Sequence, residues 1–174
     1  MKIGNFDLDH DVLIVAEIGN NHEGSYARAE EMIGLAAEAG VGAVKFQTFK
    51  TEYYISKDET ARFGRLKSFE LDHSQFERLA QLAHSLGILF ISTPFDLPSA
   101  RFLDAIVDAY KIASGDNNFY PLIACVASTG KPLIISSGAS DSEQIARTIA
   151  FVREQWREKA ITGELARSFW RDLK

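Results

Sequence analysis

Ala43-Val44-Lys45-Phe46-Gln47-Thr48-Phe49 and Ala109-Tyr110-Lys111-Ile112-Ala113-Ser114-Gly115 are short apolar-rich runs, and each carries a lysine. Runs of this kind read as parallel strands buried on both faces. A charge inside such a strand is costly unless something anionic meets it. Alternation along the strand puts Lys45 and Gln47 on one face. Either lysine alone reads as a structural ion pair. Both together, each followed by polar residues at the strand's end, point to a site that grips an anion.

Outward from these two runs the chain alternates strand and helix. Val12–Ala16 is a continuous apolar run and reads as the first strand. Residues 25–39 read as a helix with Met32, Leu35, Ala36 and Ala39 on one face and Gly40 as its stop. Ser74 and Glu77 suggest a capping box for a helix over 74–86, whose apolar stripe is Phe76, Leu79, Ala80, Ala83 and Leu86. Ile88–Thr93, residues 109–114 and Leu133–Ser137 read as strands three to five. Helices follow at Pro98–Val107 with Asp96 or Leu97 near its cap, at 120–128, and after a cap at Ser140 and Glu143 with Ile145, Ile149, Val152 and Trp156 at helical spacing. Five βα units in series imply a parallel sheet. The segment from Lys50 to Glu70, with Tyr53, Tyr54, Phe63 and Phe69, is long for a plain βα connection and reads as a lid or a surface excursion.

The chain has 174 residues, 46% hydrophobic and 25% charged, which suits one globular domain. A net charge of −5 with no basic cluster argues against a nucleic-acid partner, so any anion is held by placed groups rather than by a general field. The single Cys125 excludes an internal disulfide and reads as a small core residue. No window approaches the ~18 consecutive apolar residues of a membrane span. Asp7, Asp9 and Asp11 are unlike a signal peptide, and a reducing, cytoplasmic setting fits.

Polar residues gather where the strands end: Glu17 to His22, Gln47 to Lys50, Ser92 and Thr93, Ser114 to Asn118, and Ser136 to Gly138. Sites in parallel α/β folds form at the carboxyl ends of strands. His22 reads as a loop residue making a backbone hydrogen bond, because no second ligand stands at metal spacing. His10, His73 and His84 read as surface or capping residues, Gly19 and Gly24 as turn formers, and Asn117 and Asn118 as caps of the following helix.

The segments Ala16-Glu17-Ile18-Gly19-Asn20-Asn21-His22-Glu23-Gly24, Val44-Lys45-Phe46-Gln47-Thr48, Phe90-Ile91-Ser92-Thr93-Pro94-Phe95, Tyr110-Lys111-Ile112-Ala113-Ser114-Gly115-Asp116 and Gly130-Lys131-Pro132-Leu133-Ile134-Ile135-Ser136-Ser137-Gly138 occur in that order. Together they closely resemble the N-terminal part of the sialic acid synthase family, which includes N-acetylneuraminate, legionaminate and pseudaminate synthases and spore-coat polysaccharide proteins. The resemblance implies a (β/α)8 TIM-barrel-type fold. It also implies condensation of phosphoenolpyruvate with an N-acylated amino sugar such as N-acetylmannosamine, with a divalent metal (Mn2+ or Mg2+), to give a nonulosonic acid and phosphate.

By the same resemblance, Lys111, Thr93, Ser114 and Ser136 or Ser137 hold the phosphate and carboxylate of phosphoenolpyruvate. Lysine supplies a point charge and hydroxyls supply directed hydrogen bonds. Lys45 and Gln47 line the pocket, Gln47 towards the sugar. Glu17 positions water or moves a proton. Asp116 stands where many members have Glu, and hydrogen-bonds sugar hydroxyls or assists proton transfer.

The family's two metal-binding histidines belong to strands six and seven, which this sequence does not contain, so no metal ligand is assigned and weak or absent activity is expected of this chain alone; the alternative readings are a non-catalytic phosphate-ligand-binding or assembly subunit and another phosphoenolpyruvate-using barrel synthase. Residues 1–158 then form a partial barrel of about five βα units, and 159–174 a divergent helical tail. An open sheet leaves edges uncovered. The expected solutions are a fragment of a full synthase, pairing with a copy or another chain that completes the barrel, or closure as a smaller sheet with the tail, including Phe169 and Trp170, over an edge.

Overall fold

The computed structural model describes residues 2–138 and 140–172, with side chains described as far as residue 157; Phe169 and Trp170 lie outside the described side chains. A small antiparallel hairpin, β1 (Lys2–Ile3) and β2 (Phe6–Asp7), comes first. Then follow β3 (Val15–Gly19), α1 (Tyr26–Glu38), β4 (Ala43–Thr48), α2 (Thr51–Tyr54), α3 (Thr60–Phe69), α4 (His73–Ser85), β5 (Leu89–Pro94), α5 (Leu97–Leu103), β6 (Ala109–Ile112), α6 (Tyr120–Ala127), β7 (Leu133–Ile135) and α7 (Ser142–Asp172). The five long-range strands pair in parallel in the order β3-β4-β5-β6-β7. This is the (β/α)8 type of architecture, represented by five consecutive βα units. The backbone of α7 is continuous across residues 158 and 159.

Alternation divides the strand residues between two faces. Val44, Phe46, Phe90, Tyr110 and Ile112 face the helices and pack with Ile33, Leu79, Leu122 and Ile123. Phe46 stacks on Phe90 with centroids 5.3 Å apart and meets Phe76 edge-on at 6.2 Å. The opposite face is small near the strand starts, where Ala43, Ile91 and Ala109 are covered by Ile3 of the hairpin. Further along that inner face come the lysines, so the hairpin closes the end of the sheet opposite the polar residues.

The periodic patterns found the elements but not all their ends. The first strand begins at Val15 rather than Val12, because pairing starts where Gly42 and Ala43 donate to the Ile14 carbonyl; Val12 is 84% exposed. In α1 the buried face is Ala29, Ile33 and Ala36, and Leu35 points outward. The capping box of α4 is Asp72 and Gln75, not Ser74 and Glu77: Asp72 Oδ1 accepts the Gln75 N–H at 2.8 Å and Gln75 Oε1 accepts the Asp72 N–H at 2.7 Å. Ser74 serves that carboxylate, donating to Asp72 Oδ1. Leu86 caps the helix and lies outside its buried stripe. Asp141 rather than Ser140 caps α7.

The 50–70 excursion is two short helices. Glu70 pins it to the strand end by accepting the Thr51 N–H at 2.6 Å, with Lys50 and Lys67 at 3.6 and 3.2 Å.

Candidate active site

Register decides which polar residues meet. Glu17 is the β3 partner of Lys45, and Thr93 the β5 partner of Gln47. Lys45 Nζ lies 2.8 Å from Glu17 Oε2 and donates to Thr93 Oγ1 at 3.3 Å. Two strands away, Lys111 Nζ donates to the Ile112 carbonyl at 3.0 Å and to Ser136 Oγ. All six side chains, Glu17, Lys45, Gln47, Thr93, Lys111 and Ser136, line one open cavity of about 300 Å³ at the carboxyl ends of the strands. The bulge between Glu17 and Gly19 turns the chain across the cavity, and Gly19, Asn20 and Asn21 complete that wall.

Electrostatics distinguish the lysines. Lys45 is buried and neutralised by Glu17. Burial, and then the charge of Lys45, hold the Lys111 ammonium below the ordinary lysine range, with Glu17 acting in the opposite sense. Two cations and two hydroxyl-bearing side chains in a small concave volume make a receptor for a compact anion.

The other sequence-predicted residues stand apart from this cavity. Ser114 lines a neighbouring cavity of about 300 Å³ with Asn117, Asn118, Ser140 and Arg147. Ser137 is exposed and lines neither cavity. Asp116 also lines neither; it sits in a 3-10 turn (Ser114–Asp116), and burial pushes its carboxyl up.

Asn117 does not cap the following helix, whose N-cap residue is Phe119. It is buried, and its Nδ2 donates to the Ser136 carbonyl at 2.7 Å and to Ser140 Oγ at 3.0 Å. Its own carbonyl accepts from Gln144 Nε2 and Thr148 Oγ1, so it ties the turns after β6 and β7 to α7. An interior role of this kind has no local sequence signal, because its partners are 19 to 31 residues away. Phe95, to which the sequence assigns no role, lines the main cavity and packs on Tyr54, with ring centroids 4.5 Å apart, so the excursion contributes to the wall behind the site.

Among the described residues no three His, Cys, Asp or Glu side chains converge as metal ligands. Glu17, the carboxylate on the cavity wall, is engaged by Lys45. The residues of this stretch do not fit the divalent metal that the resemblance implies, and no step below runs through one.

The profile of the NeuB family matches residues 32–162. This chain belongs to the NeuB family. This NeuB-family chain is 45% identical over 133 residues to an uncharacterised protein of Methanocaldococcus jannaschii, covering 76% of the chain and 39% of that protein. It is 37% identical over 154 residues to N,N'-diacetyllegionaminic acid synthase of Legionella pneumophila, covering 80% and 43%. Its fold matches the crystal structure of N-acetylneuraminic acid synthetase from Leptospira borgpetersenii with a TM-score of 0.84 and 31% identity, over 89% of this chain and 55% of that one. The chain thus spans less than half the length of the curated relatives it matches. No helix among the described residues is long and apolar enough to cross a membrane.

Proposed function

We propose that this chain forms the phosphoenolpyruvate-gripping part of a synthase that joins phosphoenolpyruvate to an N-acylated amino sugar of the N-acetylmannosamine kind. The observation that carries the reading is the convergence of Lys45, Thr93, Lys111 and Ser136 on one cavity that also holds Glu17 and Gln47. Membership of a family whose relatives include nonulosonic acid synthases supports it.

In this reading Lys111 and Ser136, with Lys45 and Thr93, hold the phosphate and carboxylate. Ser114, which lines the neighbouring cavity, and the exposed Ser137 take no part in this grip. Gln47 faces the sugar. The methylene carbon of phosphoenolpyruvate attacks the open-chain aldehyde carbon, forming the new C–C bond, and the aldehyde oxygen takes a proton. Water adds to the neighbouring phosphate-bearing carbon, left electron-poor by that attack, and loses its proton to Glu17. The C–O bond to phosphate then breaks and leaves a ketone. One water is consumed and one phosphate released per product. Asp116, in the turn after β6 and outside this cavity, takes no step in this reading, although burial favours its protonated form. The outer strands β3 and β7 meet further βα units from the same polypeptide, a second copy or a partner.

Calorimetric titration of phosphoenolpyruvate, with phosphate release measured in the presence and absence of N-acetylmannosamine, tests the reading. Lys111→Met is expected to weaken phosphoenolpyruvate binding by about tenfold to a hundredfold, the magnitude of one charge-assisted contact. A folded chain that does not bind phosphoenolpyruvate, or binds it equally well as Lys111→Met, overturns the proposal.

A further inference from the structure

The turn after β3 is held in an unfavourable backbone conformation. Gly19, Glu23 and Gly24 have φ of 59°, 50° and 79°. For Glu23, which carries a Cβ, the left-handed region is costly. Such geometry persists only where the surroundings over-determine it, and it collects at functional sites. Two contacts supply that constraint. His22 is 1% exposed, and its Nδ1 accepts the Gly24 N–H at 3.1 Å. Gly24 lies against the end of α3 so closely that a Cβ there would collide with the Ser68 carbonyl oxygen. The same turn carries Gly19, Asn20 and Asn21 on the wall of the main cavity.

We propose that His22 is a positioning residue: its buried imidazole, by accepting the Gly24 N–H, fixes the turn that presents Asn20 and Asn21 to the cavity and seats α3 against that turn. The ring does not line the cavity; it lies behind the wall, 6.0 Å from the ring of Phe46 in the strand that carries Lys45 and Gln47. With Nδ1 as acceptor, the neutral ring bears its proton on Nε2. Burial, and then the charge of Arg28, favour that neutral form. Nε2 has no hydrogen-bond partner among the described residues, so the acceptor bond is what the ring contributes. An apolar ring of the same size would fill the space and leave the Gly24 N–H without its partner.

The binding readout rests on the reading of the cavity given above, so the test carries a second readout that does not. Three quantities are measured: the 15N shifts of the His22 ring in the unmodified chain, the exchange rate of the Gly24 amide, and the dissociation constant for phosphoenolpyruvate. The unmodified ring is expected to be protonated on Nε2 alone. His22→Phe is expected to speed Gly24 exchange and to weaken phosphoenolpyruvate binding, each by about tenfold, the loss of one buried hydrogen bond. His22→Asn, whose side-chain oxygen can accept the same N–H, is expected to restore both to within about twofold of the parent.

A ring protonated on Nδ1 overturns the proposal without any variant. Unchanged exchange and affinity in His22→Phe overturns it too, as does failure of His22→Asn to improve on His22→Phe while both melt like the parent. If the parent chain does not bind phosphoenolpyruvate, the cavity reading fails, and the ring shifts and Gly24 exchange still decide the role of His22.

Discussion

Lys45 and Lys111 share a cavity, but among the described residues only Lys45 has a carboxylate in contact. Lys111 is held by a carbonyl and a hydroxyl, groups that solvate an ammonium without cancelling its charge. A bound anion would favour the charged form that burial disfavours. Binding therefore raises the pKa of Lys111 and takes up protons near its depressed free value. As pH rises through that value, affinity for phosphoenolpyruvate is expected to fall, and to do so below the ordinary lysine range. Calorimetry in buffers of different ionisation enthalpy reads the uptake directly. Lys111→Arg, which stays charged throughout, should abolish the uptake; uptake unchanged in that variant would assign the proton to another group.

Among the elements, α5 shows how a site loop is anchored. Its cap Asp96 is buried and accepts from the Ser99 N–H and the Lys50 N–H, both at 2.7 Å, and from Ser99 Oγ at 2.8 Å. One side chain thus starts a helix and holds the exit of β4. Asp96→Ala removes a cap and strands a backbone donor, an expected cost of about 2–4 kcal/mol in urea unfolding. A loss well under that would mean the Lys50 N–H finds another acceptor.

Elements of this kind were legible in the sequence where the signal was local. Asp96 stands immediately before α5, and the apolar periodicity of α4 named Phe76, Leu79, Ala80 and Ala83. The two strand lysines and the polar strand ends located the main cavity. One miss was local, Asp72 outcompeting Ser74 as a cap through Gln75; the others were set by tertiary partners: the rotated face of α1, and Asn117 bonding across to β7 and α7. The resemblance groups Ser114 with Lys111, but the turn after β6 directs it to the neighbouring cavity.

At the scale of the whole molecule, β5 is flanked by β4 and β6, whereas β3 and β7 each have one neighbour among the described residues. Local opening is cheapest where a ladder has one side. Amide exchange is expected to be slowest in Phe46 and Phe90 and faster in Leu133–Ile135. Equal protection in β7 would show that its outer edge is covered in solution. The overall charge of −5 opposes the approach of anions, so capture depends on the cavity, where Glu17 already occupies Lys45 at 2.8 Å. That ion pair acts as a built-in competitor. At Lys45 a weak monovalent anion such as chloride must displace a tethered carboxylate for little gain, whereas a ligand carrying several negative charges can offset the exchange. The Lys45 side of the pocket is thereby expected to discriminate against small monovalent anions. Glu17→Gln should forfeit that discrimination, with chloride becoming an effective inhibitor of phosphoenolpyruvate binding; insensitivity to chloride in that variant would locate the selectivity elsewhere.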